Sequence, residues 1–273
     1  WQQATATVVM LHGQFQSGRM FERIARDLSR ALPHARLLAP TAMTQSCHFG
    51  MGPAWMAQED TVLKLEAARR EIDHLLQLQP AEKVVLLGFS AGGVLAALTA
   101  LLSPERFAGL LLFGIPPLML LLEELYGSGC AWPGAQGLDV LQCHGGRDSM
   151  AKLDDARASA EKLRHAGCRV HFSLHSDVGH NISAGMVTEA RAWLAQRLSE
   201  TPSDVGSPSL AERKEAAATQ VFDIGDDEGG DGSEGGADDL DAMFGFDSVQ
   251  PEVLSHEEPD LDAMYDFTAA NTA

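Results

Sequence analysis

The chain has 273 residues, 45% of them apolar, and a formal net charge of −18. That length holds one sizeable domain or two small ones, and that apolar share supplies a real core. The charge sits almost wholly in residues 201–273, with 19 acids and 2 bases against 19 acids and 18 bases in 1–200; neither part has the basic surface that nucleic-acid binding requires.

Strand-like and helix-like runs alternate along the first part. "ATATVVML" (Ala4 to Leu11) predicts a buried strand, Gly18 to Leu32 an amphipathic helix, and "ARLLA" (Ala35 to Ala39) a second strand. A loop rich in Met, Gly and Pro is expected from there to Trp55. Gln58 to Leu78 predicts a long helix, with Val62, Leu65, Ile72, Leu75 and Leu76 near helical spacing. "KVVLLG" reads as a strand, Ala91 to Leu102 as a helix, and "FAGLLLF" (Phe107 to Phe113) as a strand. After an irregular segment come "DVLQCH" (strand), Ala151 to Ala166 (helix), "RVHFSL" (strand) and Ser183 to Leu198 (helix). Apolar strands separated by helices imply an α/β fold, a mostly parallel sheet flanked by helices on both faces. Such sheets carry their chemistry at the carboxyl ends of the strands.

Past Ser199 the composition changes. "DIGDDEGGDGSEGGADD" cannot bury enough apolar surface to offset its ordering entropy, so a domain over 1–200 and a disordered acidic tail over 201–273 are expected. The four cysteines, Cys47, Cys130, Cys143 and Cys168, have neither close pairing nor C-x-x-C spacing. A disulfide framework or zinc site is therefore not expected from spacing. "WQQATATVVM" lacks the basic start and cleavage region of a secretory leader. The longest apolar patch, Leu110 to Leu122, is too short to span a bilayer and is broken by two prolines. A reducing, cytoplasmic setting with no transmembrane segment follows as the expectation.

Four strand ends carry polar loops: His12-Gly13-Gln14, Gly88-Phe89-Ser90-Ala91-Gly92, "CHGGRDSM" with Asp148, and "HSDVGHNIS" with His180. A bare G-x-S-x-G is weak evidence, because a glycine turn with a capping serine reads the same. Here it lies where a strand must turn sharply into a helix, as a nucleophile elbow requires. A serine hydroxyl becomes nucleophilic only when a base takes its proton, and that base is a histidine oriented by an acid. Ser90, Asp148 and His180 follow in the order Ser, acid, His, each after a different strand. His175 is the competing base, but it ends its strand. Among competing acids, Asp154 and Asp155 fall in the next helix, Asp139 precedes its strand, and Asp177 sits in the base's own loop. Acyl transfer also needs donors aimed at the developing oxyanion. The backbone N–H groups of Gln14 and Ala91 are the candidates. His12 and His144, each before a glycine, read as structural loop histidines.

Together these residues resemble an α/β-hydrolase of the phospholipase/carboxylesterase group that includes acyl-protein thioesterases. "LHGQFQSG", "GPAW", "LLGFSAGG", "DVLQCHGGRDSM" and "GHNIS" carry the likeness, over about residues 4 to 199. The resemblance implies an α/β-hydrolase fold, the triad Ser90, Asp148 and His180, and an oxyanion hole from the Gln14 and Ala91 N–H groups. It implies hydrolysis of carboxylic esters or thioesters through an acyl-enzyme, with no metal or organic cofactor. This chain departs from the family pattern at Ala91, usually Gln, at Ser149, usually Pro, and at Phe15, usually Gly. These positions line the site's mouth and bear on the substrate, a small-molecule or lipidated ester or thioester.

Phe15, Trp55, Leu118, Met119 and Leu122 are the candidate substrate contacts. The apolar stretch Gly114 to Gly137 reads equally as a lid or acyl-chain groove and as a core or dimer contact. In the tail, "DLDAMFGF" (Asp239 to Phe246) and "DLDAMYDF" (Asp260 to Phe267) share six of eight positions. Each copy has apolar residues at i, i+3, i+4, as a docking helix for a protein partner would. The competing readings are a short-chain carboxylesterase and a catalytically silent hydrolase-fold scaffold acting through its tail.

Overall fold

The computed structural model describes residues 4–47, 50–56, 61–78, 83–118 and 135–199. The acidic segment 201–273 with its two motifs, most of the 114–137 stretch, Met119 and Leu122 lie outside the described residues. In chain order the elements are β1 (Ala6–Leu11), α1 (Glu22–Ala31), β2 (Ala35–Leu38), β3 (Thr44–Cys47), β4 (Gly50–Pro53), α2 (Thr61–Leu78) and β5 (Lys83–Phe89). They continue with α3 (Ala91–Leu102), β6 (Gly109–Phe113), β7 (Asp139–Gly145), α4 (Leu153–His165), β8 (Arg169–His175) and α5 (Ala184–Arg197).

Six strands form one parallel sheet in the order β2-β1-β5-β6-β7-β8. Every residue of β1, β6 and β7 is buried, whereas all four of the edge strand β2 are only partly so. That gradient follows from helices covering both faces of the central strands. Helix α3 is buried all round from Ala91 to Leu101. Its small residues, Gly92, Gly93, Ala96, Ala97 and Ala100, let it lie close to the sheet. On the other face, Phe21, Leu28, Met186, Ala190 and Leu194 from α1, α5 and the turn before α1 pack on Val8, Met10, Val85, Leu111 and Leu141. Each such leucine contributes roughly 1.5–3 kcal/mol by leaving water.

The chain leaves β1 for the edge at β2, then returns to β5 on the other flank of β1 and moves steadily outward. The order therefore reverses between β1 and β5, where such sheets open a crevice beyond the strand ends. Registers level those ends: Leu11 lies opposite Gly88, Phe89 opposite Phe113, Phe113 opposite Cys143, and Gly145 opposite His175. Loops that are distant in sequence thus emerge in one row. At the opposite end, Asp139 accepts two hydrogen bonds from Arg169, at 2.9 and 2.7 Å, and pairs with Arg197 at 3.1 Å. This pins β7, β8 and α5 together away from the loops.

Three details differ from the sequence expectation. Residues 44–53 are not all loop: β3 and β4 form an antiparallel hairpin, Thr44 opposite Pro53 and Cys47 opposite Gly50. "TQSC" and "GMGP" have little strand propensity, and tertiary contact supplies what propensity does not. The Phe15 N–H donates to Pro53 O at 2.9 Å, and the Phe15 ring covers Gly52 so closely that a Cβ there would lie 3.1 Å from Cε1. The first helix begins as a 3-10 turn, Gly18–Phe21, before α1 proper starts at Glu22. Helix α4 starts at Leu153 rather than Ala151, since the Met150 and Ala151 N–H groups donate to Asp148 Oδ1 instead. Among the described residues no helix is long and apolar enough to cross a membrane.

Candidate active site

Ser90 occupies the single step between β5 and α3, with φ 51° and ψ −122°. A non-glycine residue held there costs about 1–3 kcal/mol, so its surroundings must enforce it. The Ser90 N–H donates to Phe113 O at 3.0 Å, and its carbonyl accepts from the Gly93 and Val94 N–H groups. Both flanking glycines are steric requirements. A Cβ at Gly88 would lie 2.5 Å from Gly93 Cα, and one at Gly92 would lie 2.5 Å from the Leu11 carbonyl carbon. The turn is therefore tight because α3 begins directly against the end of β1.

The structure brings Ser90, His180 and Asp148 together. His180 Nε2 lies 3.1 Å from Ser90 Oγ, and His180 Nδ1 lies 2.8 Å from Asp148 Oδ2. A carboxylate only accepts, so Nδ1 carries the proton and Nε2 is left to accept from the serine hydroxyl. The other carboxylate oxygen, Asp148 Oδ1, accepts from the N–H groups of Met150 and Ala151 at 2.9 and 2.8 Å. The Asp148 side chain is 0% exposed and that of His180 18%. Burial alone would raise the Asp148 pKa; the His180 hydrogen bond, the two amides and the imidazole's charge outweigh it and hold it below the ordinary value.

The acid loop and the base loop are fitted to one another by backbone. The Gly146 N–H donates to His175 O and the Arg147 N–H to Val178 O, both at 2.9 Å. A Cβ at Gly145 would lie 2.9 Å from the Val178 carbonyl carbon, and one at Gly146 would lie 2.7 Å from Ser176 O. "HGGRD" thus needs both glycines to let Asp148 reach His180. His144 braces the same loop. Its Nε2–H donates to Ala151 O at 2.9 Å, and the N–H of Ala151 holds Asp148. Burial depresses the His144 pKa despite the nearby Asp148 charge, so the ring stays neutral.

The competing groups lie elsewhere. Asp139 is at the far end of the sheet, paired with arginines. Asp177 pairs with Arg147 on the surface. Asp154 and Asp155 fall in the first turn of α4. His175 is turned toward Glu189, 3.1 Å away.

The first loop, His12 to Phe15, crosses beside the elbow. Gln14 follows Gly13 in this loop, and Ala91 is the first residue of α3. His12 is fully buried, and its Nε2 accepts from the Ala42 N–H at 2.9 Å, which leaves Nδ1–H to donate to Gly13 O at 2.7 Å. Burial lowers its pKa, so it too is neutral. Trp55 is 2% exposed; its Nε1–H donates to His12 O at 2.7 Å and its ring leans on the His12 ring. It therefore braces the loop from beneath. Leu118 is likewise fully buried. Phe15 has φ 58° and is 39% exposed. Its backbone thus lies in the left-handed region that glycine enters freely and other residues rarely do.

Two neighbours of the triad carried no sequence signal. Phe89 lies with its ring 4.9 Å from that of His180. Gly114, φ 50°, ends β6 so close to the triad that a Cβ there would lie 3.4 Å from Asp148 Oδ2 and 3.5 Å from His180 Nδ1. The sequence shows only one glycine after an apolar strand, which marks a turn and not its surroundings.

A sequence profile described as Phospholipase/Carboxylesterase matches residues 1–198. The chain is similar to acyl-protein thioesterase 1 homolog 2 of Dictyostelium discoideum, with 33% identity over 183 residues, 60% of this chain and 80% of that protein. In three dimensions it is similar to acyl-protein thioesterase 2 of Zea mays, with a TM-score of 0.63 and 22% identity over 72% of this chain and 95% of that one. It is also similar to SOBER1 of Arabidopsis thaliana, with a TM-score of 0.59 and 23% identity over 71% of this chain and 99% of that one. The two structural likenesses establish the fold.

Proposed function

This chain belongs to the phospholipase/carboxylesterase family, and on that premise we propose that it is a serine hydrolase of carboxylic esters and thioesters. Ser90 is the nucleophile, His180 the general base and acid, and Asp148 the residue that orients His180. The observation that carries this reading is the continuous hydrogen-bond chain from Ser90 Oγ through His180 to Asp148, at 3.1 and 2.8 Å.

Ser90 Oγ attacks the acyl carbonyl while His180 Nε2 takes its proton. Asp148 stabilises the imidazolium across the Nδ1–H bond. The oxyanion is met by the Gln14 and Ala91 N–H groups, the second at the positive end of α3. His180 returns the proton to the departing alcohol or thiol, leaving an acyl-enzyme. It then activates water, which releases the carboxylic acid. Phe15 is assigned to the acyl-group side of the mouth, together with Met119 and Leu122, whereas Leu118, fully buried, is assigned to the core. Trp55 is assigned to support of the oxyanion loop. The acidic segment 201–273 is assigned to partner docking, apart from this chemistry.

The purified 273-residue chain tests the reading on matched octanoyl ester and thioester substrates. Both are expected to be hydrolysed, and Ser90→Ala is expected to abolish turnover of both. No turnover by wild type, or turnover that survives Ser90→Ala, would overturn it. Wild-type preference for acetyl over octanoyl groups would assign the mouth to short acyl chains.

A further inference from the structure

The last strand and the last helix carry a second cluster of reactive side chains, together with Cys143 of β7. His171, Ser173 and His175 alternate along β8 and so project from one face. Cys143 of β7 and Glu189 of α5 meet them there. His175 Nε2 lies 3.1 Å from Glu189 Oε2, and His171 Nε2 lies 3.3 Å from Glu189 Oε1. The Cys143 thiol points at Glu189 Oε2, 4.0 Å away. The ligand atoms of Cys143, His175 and Glu189 all lie within 4.8 Å of one another.

We propose that Cys143, His175 and Glu189 form a binding site for a zinc-class divalent cation, with His171 as the fourth ligand. Thiolate, imidazole and carboxylate are the donor set that borderline-soft cations prefer over magnesium or calcium. In a tetrahedral zinc site the usual bond lengths set donor atoms about 3.3–3.6 Å apart. The separations from Glu189 bracket that value, while the donor atoms of Cys143, His175 and Glu189 spread over up to 4.8 Å, so Cys143 and His175 must close in and His171 must swing toward the same carboxylate to complete the set. The groups around the site are fitted to the task. Ser173 Oγ–H donates to Glu189 Oε2 at 2.7 Å and fixes the carboxylate, as hydrogen bonds to metal ligands do. The His175 ring is seated against Gly185, where a Cβ would lie 3.3 Å from the ring. His171 has a side chain 68% exposed, which gives solvent a way in.

On binding, Cys143 would coordinate as the thiolate and its proton would leave to solvent. The sequence spacing hides the site, because its four ligands come from β7, β8 and α5.

The test is titration of the full chain with Zn²⁺ in competition with a weak chelating dye, followed by absorption of the Co²⁺-loaded protein. One equivalent of Zn²⁺ is expected to bind. Cys143→Ala and His175→Ala should each weaken binding roughly tenfold or more, and exposed His171→Ala by less. The Co²⁺ form should show a thiolate-to-metal charge-transfer band that His171→Ala retains and Cys143→Ala lacks. Absence of stoichiometric binding, or unchanged affinity in both Cys143→Ala and His175→Ala, overturns the proposal. Should those two variants fail to fold, the wild-type Co²⁺ spectrum still decides, since a spectrum without the thiolate band refutes the assigned ligands.

Discussion

Replacing Gly92 by alanine isolates the packing that holds the elbow. The new Cβ would lie 2.5 Å from the carbonyl carbon of Leu11, the last residue of β1, and would also crowd the His12 carbonyl that follows it. Carbon atoms in contact sit about 3.5 Å apart, so the deficit is about 1 Å. β1 is clamped between β2 and β5, which leaves the first turn of α3 to move. That turn carries Ser90 and the Ala91 N–H. A shift of about 1 Å would stretch the 3.1 Å Ser90–His180 hydrogen bond past its useful range. Misplacement on that scale costs roughly a hundredfold in rate, and overpacking costs about 1–3 kcal/mol in stability. The assay is kcat/KM on a p-nitrophenyl ester beside the urea midpoint, with Ala96→Gly on the same helix as control. The control should lose about 1 kcal/mol of stability while keeping kcat/KM. A folded Gly92→Ala protein within about twofold of wild-type kcat/KM would refute the reasoning.

Asp148→Asn should lower kcat roughly ten-thousandfold while the protein folds normally, because the amide holds His180 in the wrong tautomer; single-turnover kinetics and circular dichroism check it. Asp148 has a folded pKa below its unfolded value, so the stability it contributes is fully present above about pH 5. It is lost only as pH falls through the lower folded value. The urea-midpoint difference between wild type and Asp148→Asn should accordingly be flat from neutrality to about pH 5 and shrink below about pH 4. Trp55→Phe leaves the buried His12 carbonyl without its 2.7 Å donor and should cost about 1–3 kcal/mol by thermal unfolding.

The six-stranded sheet was legible because its strands are apolar runs set between helix-period segments. The order of Ser90, Asp148 and His180 was legible because this topology sends each strand end to the same edge. The hairpin at 44–53 was not, since its residues are poor strand formers and Phe15, distant in sequence, helps fix it. Candidate residues were sorted by structure in ways their types do not reveal. Trp55 and Leu118 are both apolar residues that by type suit a substrate contact, yet Trp55 is spent on the His12 carbonyl and Leu118 is fully buried. Gly114 needed the fold to bring β6 beside Asp148. His144 was read as structural, but its link through Ala151 to Asp148 is a matter of loop geometry. Cys143, His175 and Glu189 converge only once β7, β8 and α5 are assembled.

The account rests on His180 activating the hydroxyl of Ser90. Labelling of the full chain with a fluorophosphonate, followed by peptide mass analysis, tests this most directly. A single adduct on Ser90, formed rapidly by wild type and lost or slowed at least a hundredfold in His180→Ala, is the predicted result. An adduct on another residue, or equal labelling rates with and without the imidazole, would contradict it.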